Sequence, residues 1–228
     1  MKHYLIVGAS SGIGFAVAKK LSLANRITAI SRSEKELSTL PNTTFHNVDI
    51  STGTAEFPSI EGPLDGIIYC PGTINLKPFR AIKDEDFQNE WNINVMGAIK
   101  TIRHYLPALQ QAEQPSIVLF STVAVQNGMP FHSGIAAAKG AVEGLTRSLA
   151  AEFAPKIRVN AIAPSLTQTP LADKLINTES KLKAAEDRHP LKSLGSADTI
   201  ADGVLFLLNA PWTTGQILHI DGGMSAIR

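Results

Sequence analysis

Three glycines in Gly8-Ala9-Ser10-Ser11-Gly12-Ile13-Gly14 stand where an apolar run through Leu5, Ile6 and Val7 stops and a helical periodicity begins. Glycine lets the backbone turn tightly and approach a ligand, and a helix start offers unpaired N–H groups at a positive dipole end. Such a loop suits a phosphate or pyrophosphate. Three glycines alone also fit an unliganded tight turn, so other positions must decide. About twenty residues further on, Arg32 follows the neutral Ser31 at the end of a second apolar run. In dinucleotide binders an acid at that tip takes the ribose 2′-hydroxyl, whereas an arginine suits a 2′-phosphate. Arg32 therefore favours NADP(H) ahead of NAD(H), the plain alternative being a solvated surface charge.

The elements that position these residues are legible from periodicity. Ile13, Ala16, Val17, Leu21 and Ala24 share one face of a first helix. Short apolar runs at 5–7, 26–30, 44–48, 66–70, 116–120, 157–162 and 216–220 read as strands. The segment from Ser51 to Asp65 is a loop broken by Gly53, Pro58, Gly62 and Pro63, and Thr73 to Asp84 is irregular around Pro78. Phe87, Trp91, Val95, Ala98, Ile102, Leu106 and Leu109 recur at helical spacing, with the polar Asn94 one residue off the stripe. A helix of small residues starts at Ile135 and carries Lys139 in its first turns. Leu171 to Leu194 is polar and aperiodic, the composition of a mobile lid. A last helix through Ile200, Ala201, Val204, Leu205 and Leu208 is capped by Ser196.

Strands alternating with helices over 228 residues, without a linker or repeat, predict one α/β domain. The fold class is a Rossmann-type doubly wound parallel sheet of seven strands with helices on both faces. The candidate residues follow strands and so gather at one edge of that sheet. With 21 basic and 20 acidic residues interspersed, the chain carries no electrostatic footprint for nucleic acid or an anionic membrane. No run approaches a membrane span, the apolar start at Tyr4 to Val7 is too short for a signal-peptide core, and a cytoplasmic protein is expected. No metal site is predicted. The single cysteine, Cys70, ends an apolar run, which suits a core thiol better than a nucleophile.

In order and spacing, these landmarks resemble the short-chain dehydrogenase/reductase family along almost the whole chain. Gly8 to Gly14 is similar to its glycine motif, Asp49 to the residue holding the adenine ring, and Asn94 in Asn92-Ile93-Asn94-Val95 to the helix asparagine of its catalytic tetrad. Arg158 to Pro164 resembles the segment whose proline packs by the nicotinamide, Thr169 the threonine that touches the carboxamide, and Asp221-Gly222-Gly223 the C-terminal signature. Tyr69-Cys70-Pro71-Gly72 keeps only the glycine of the family's Asn-Asn-Ala-Gly. The resemblance implies a cofactor site of Gly8, Ser10, Ser11, Gly12, Ile13, Gly14, Arg32, Asp49, Ile50, Gly72, Lys139, Pro164 and Thr169. It also implies assembly as a homodimer or homotetramer, for which the small flank Ala136 to Gly144 is available.

The family's tetrad is Asn, Ser, Tyr and Lys. Aligning Lys139 with its lysine places Ile135, four residues earlier, at the tyrosine and Thr122, thirteen before that, at the serine. The proton donor is missing, and Tyr4, Tyr69 and Tyr105 all fall elsewhere. Losing a positioned general acid typically costs about 10²- to 10⁴-fold. Three readings follow. In the first, an NADPH-dependent carbonyl reductase takes its proton from His132, an imidazole with an ordinary pKa of about 6.5, unless that histidine is merely an exposed loop residue. In the second, an activated alkene is reduced, Thr122 stabilises an enolate and water protonates it. In the third, the chain is a nucleotide-binding sensor or partner subunit with little or no turnover, since function lives in the site and not the fold.

Overall fold

The computed structural model describes residues 1–52 and 55–227; Gly53, one of the loop breakers, lies outside them. In chain order the elements are β1 (His3–Val7), α1 (Gly12–Ser22), β2 (Arg26–Ser31), β3 (Thr43–Asn47) and β4 (Gly66–Tyr69), then α2 (Asp84–Trp91), α3 (Gly97–Gln111) and β5 (Ser116–Phe120). There follow α4 (Ala124–Asn127), α5 (Ser133–Phe153), β6 (Arg158–Pro164), β7 (Thr167–Gln168), α6 (Asp173–Ile176), α7 (Glu179–Asp187), β8 (Gly195–Ser196), α8 (Ala197–Asn209) and β9 (Ile217–Ile220). Seven strands form one sheet in the order β3-β2-β1-β4-β5-β6-β9, every pair parallel. The strand order reverses at β1, which lies between β2 and β4, and ligands bind outside the carboxyl ends of strands at such a switch point.

All five residues of β1 are buried because both sheet faces are covered. Its alternation sends Tyr4 and Ile6 to a core shared with Val17, Ile200 and Val204, and Leu5 and Val7 to a second core with Ile102, Leu109 and Val142. Helices α1 and α8 cover the first face, α3 and α5 the second.

Two expectations need correcting. The helix expected through residues 87–109 is interrupted by a π turn at Asn92–Met96, so α2 and α3 are offset. One extra residue rotates the following side chains by roughly 100°. Trp91, expected on the buried stripe, is 42% exposed, while Asn94, expected beside it, is 1% exposed. The lid expected to be irregular at residues 171–194 instead holds α6 and α7, anchored by a separate two-stranded parallel sheet of β7 and β8. Ser196 does cap α8, its Oγ accepting from the Thr199 N–H at 3.0 Å.

Candidate active site

The glycine turn is shaped by contacts that only glycine permits. A Cβ on Gly14 would collide with the Gly8 carbonyl, and Gly8 itself has φ +77° and packs on Pro71. Ser11 precedes α1 in an extended conformation without a side-chain cap, which leaves the first N–H groups of α1 facing outward. They open into a groove of about 300 Å³ lined by Gly8, Ser10, Ser11, Gly12, Ile13, Gly14, Arg32, Asp49, Ile50 and Gly72. Asp49 accepts from the backbone N–H and hydroxyl of Ser51 at 2.9 and 2.7 Å, and these bonds, with lesser help from Arg32, hold its carboxyl below the usual range. Lys35 lines the same groove, a cation missed in the sequence because it follows β2 in a polar stretch without periodicity.

A second cavity of about 360 Å³ adjoins the groove and shares Ile13, Cys70, Gly72, Thr169 and Leu171 with it. Thr122, His132, Ile135, Lys139 and Pro164 line this cavity, which brings three of the four predicted catalytic residues together; the fourth, Asn94, lines neither cavity. No tyrosine lines either cavity among the described residues. Tyr4 is a strand residue in the first core, Tyr105 donates to the Pro58 carbonyl, and Tyr69 to the Ile93 carbonyl. Ile135 fills its position as a buried apolar wall.

Lys139 is buried, and no hydrogen bond or ion pair to it is seen among the described residues. Burial lowers its pKa to about 8, against a smaller opposing effect of the Cys70 thiol. Asn94 is held by donation to the Glu90 carbonyl at 2.8 Å and to Thr73 Oγ1 at 3.1 Å, while its Oδ1 is buried without a partner. A Cβ built on Gly72 would lie 3.5 Å from Asn94 Oδ1 and 3.6 Å from Lys139 Nζ, so an orphaned acceptor and an unpaired amine flank one glycine. Cys70, expected in the core, is half-buried on the wall between the two cavities, and burial pushes its thiol up to about 12, which disfavours a nucleophile.

One turn beyond Lys139, Glu143 accepts from Ser121 Oγ at 2.8 Å and fixes α5 to the end of β5. His132 sits half-buried just before α5, its Nδ1 2.6 Å from the Pro130 carbonyl. Ser165, Arg188 and the buried His189 also line the cavity and were not among the predicted site residues. His189 and Ser165 are 24 residues apart, and nothing local in the sequence joins them.

A cofactor with phosphates and hydroxyl-rich sugars fits this donor set. A Cβ on Gly14 would fill the glycine turn, no Ser11 side chain caps the start of α1, and among the described residues Asn94 Oδ1 is a buried acceptor without a partner while Lys139 Nζ makes no ion pair. Among the described residues no helix is long and apolar enough to cross a membrane.

Comparison with known proteins gives a consistent result. A family model described as enoyl-(acyl carrier protein) reductase matches residues 8–225. L-xylulose reductase of Bos taurus is 31% identical over 236 residues, covering 99% of this chain and 97% of the relative. A short chain dehydrogenase family protein from Francisella tularensis superposes with a TM-score of 0.90 at 26% identity, covering 99% of both chains. ElxO with NADP bound superposes with a TM-score of 0.87 at 28% identity over 98% of each chain, and a tyrosine-to-phenylalanine variant of ElxO has been solved with NADPH bound.

Proposed function

The chain belongs to the short-chain dehydrogenase/reductase family of oxidoreductases, and from that premise we propose that it is a cytoplasmic, NADP(H)-dependent reductase of a small carbonyl or activated alkene. The observation that carries this reading is the convergence of Lys139 Nζ and the orphaned Asn94 Oδ1 on Gly72, which lines both cavities. A buried, unpaired lysine is costly to keep in a protein that does not use it.

Gly8 to Gly14 and the start of α1 would hold the pyrophosphate, and Asp49 and Ile50 would bound the adenine. Arg32 and Lys35, which flank the groove, suit a 2′-phosphate. Lys139 would grip the nicotinamide ribose hydroxyls, Asn94 would seat a water against that amine, and Pro164 and Thr169 border the nicotinamide. When bound, the reduced nicotinamide supplies a hydride. The substrate oxygen then gains negative charge, which the Thr122 hydroxyl can meet as a hydrogen-bond donor. In place of a tyrosine, the second cavity offers two histidines, His132 at the rim and His189 inside. The apolar Ile135 leaves room for an uncharged, compact substrate.

Assembly into a homodimer or homotetramer belongs to the same proposal. Its support is the small flank of α5, where a Cβ on Gly144 would meet nothing within 4 Å. To test the function, the protein is mixed with NADPH and a panel of ketones and enones while absorbance of the reduced cofactor is followed. Oxidation with at least one compound class is expected. Tight NADPH binding with no oxidation by any compound would instead mark a nucleotide sensor.

A further inference from the structure

Ser165 follows β6 on the wall of the second cavity, and its Oγ lies 2.8 Å from Nε2 of the buried His189 at the end of α7. His189 Nδ1 lies 2.8 Å from the Ala185 carbonyl, which can only accept, so Nδ1 keeps its hydrogen in either protonation state. Nε2 is therefore the ring nitrogen through which a proton can pass to or from Ser165. With Nε2 bare, Ser165 donates to it. With Nε2 protonated, the ring donates to Ser165, and the hydroxyl hydrogen turns into the cavity, where Met224 Sδ lies 3.3 Å away. The ring packs beside Gly222, at φ +64°, where an added Cβ would lie 3.4 Å from His189 Cδ2.

Neither alternative donor has this coupling. Thr122 Oγ1 accepts a long bond, 3.4 Å, from the Ala124 N–H, and His132 is a half-exposed ring at the rim. Resting on the reading of this chain as a carbonyl or enone reductase, we infer that Ser165 is the catalytic residue that protonates the substrate oxygen. His189 acts through it as a positioning residue that restores the proton. The balance is simple. As hydride from the reduced nicotinamide adds to substrate carbon, the π electron pair moves onto the substrate oxygen, as alkoxide or enolate. The Ser165 O–H bond breaks and a substrate O–H bond forms, while the serine oxygen takes the Nε2 proton and the imidazolium becomes imidazole. Solvent reprotonates the ring through the same hydroxyl once product has left.

The test uses the full chain, saturating NADPH and the best substrate of the ketone and enone panel. Ser165→Ala is expected to lower kcat by about 10²- to 10⁴-fold with KM and NADPH affinity within about threefold. Ser165→Thr, which keeps a hydroxyl, is expected to retain kcat within about tenfold. His189→Gln is expected to lower kcat without changing NADPH affinity; should it fail to fold, the two Ser165 variants decide. Independently of turnover, nitrogen-15 NMR of the free protein is expected to show His189 Nδ1 carrying its hydrogen throughout a pH titration, with an Nε2 signal that moves in Ser165→Ala. Retention of kcat in Ser165→Ala, or a loss confined to His132→Ala, would overturn the inference and leave the reductase assignment standing. A wild-type protein that binds NADPH and oxidises it with no panel compound would overturn both.

Discussion

The Tyr69 hydroxyl donates to the Ile93 carbonyl at 2.6 Å, inside the π turn that carries Asn94. A π turn shifts the backbone bonds from the regular i→i−4 ladder to i→i−5, and the Tyr69 bond braces the turn from outside the helix. The same hydroxyl closes over Gly97, where any Cβ would collide with it. Tyr69 thus ties down the backbone next to Asn94 although it lines neither cavity, and burial holds its phenol strongly toward the protonated, donating form.

Removing that donor is expected to be costly twice over. Tyr69→Phe removes this hydrogen bond, a loss of about 0.5–1.5 kcal/mol. It also loosens Asn94. Urea melts measure the first effect, and kcat is expected to fall alongside. Unchanged stability would show that the π turn stands without the bond.

Cofactor choice rests on two exposed cations. Arg32→Ala and Lys35→Ala are each expected to weaken NADPH binding by about five- to tenfold while leaving NADH within about twofold, since the 2′-phosphate is the group that distinguishes the two. Fluorescence titration with both nucleotides checks this. Equal losses for NADPH and NADH would refute a 2′-phosphate site.

The lowered pKa of Lys139, about 8, gives opposite signs for stability and binding. Between about pH 8 and the ordinary lysine value, the folded protein has shed a proton that the unfolded chain retains, so stability of the free protein rises with pH across that window. Binding runs the other way: the ammonium form donates to ribose hydroxyls, and NADPH affinity is expected to fall as pH rises above about 8. Affinity measured from pH 6 to 10 on wild type and Lys139→Met separates this from titration of the 2′-phosphate, because the fall above pH 8 should vanish in the variant.

Restoring the absent phenol is a gain-of-function test. Ile135 faces the cavity one turn from Lys139, and Ile135→Tyr places a donor on the same wall. Carbonyl reduction is expected to rise by about tenfold or more. No gain, with the fold intact by circular dichroism, would mean that proton delivery does not limit turnover.

The sheet, the glycine turn and the gathering of Thr122, Lys139 and Pro164 at one edge were legible because alternation and helical spacing are local signals. The π turn was not, since one extra residue changes no composition; only tertiary packing on Tyr69 selects it. Helices α6 and α7 escaped notice because both are short, polar and largely exposed, with Ala185 the one buried residue between them. Lys35 and the Ser165–His189 pair share a different reason. Their partners in the site come from chain segments that meet only in the folded molecule: Lys35 joins a groove built from other loops, and the segment after α7 brings His189 against the end of β6.

The central claim is hydride transfer by a site without the family's tyrosine. NADPH carrying deuterium at its transferable position, incubated with the protein and the ketone and enone panel, tests it by mass spectrometry of the products. One deuterium on the reduced carbon of at least one product is the expected result. Saturated NADPH binding with no deuterium in any product would contradict the assignment.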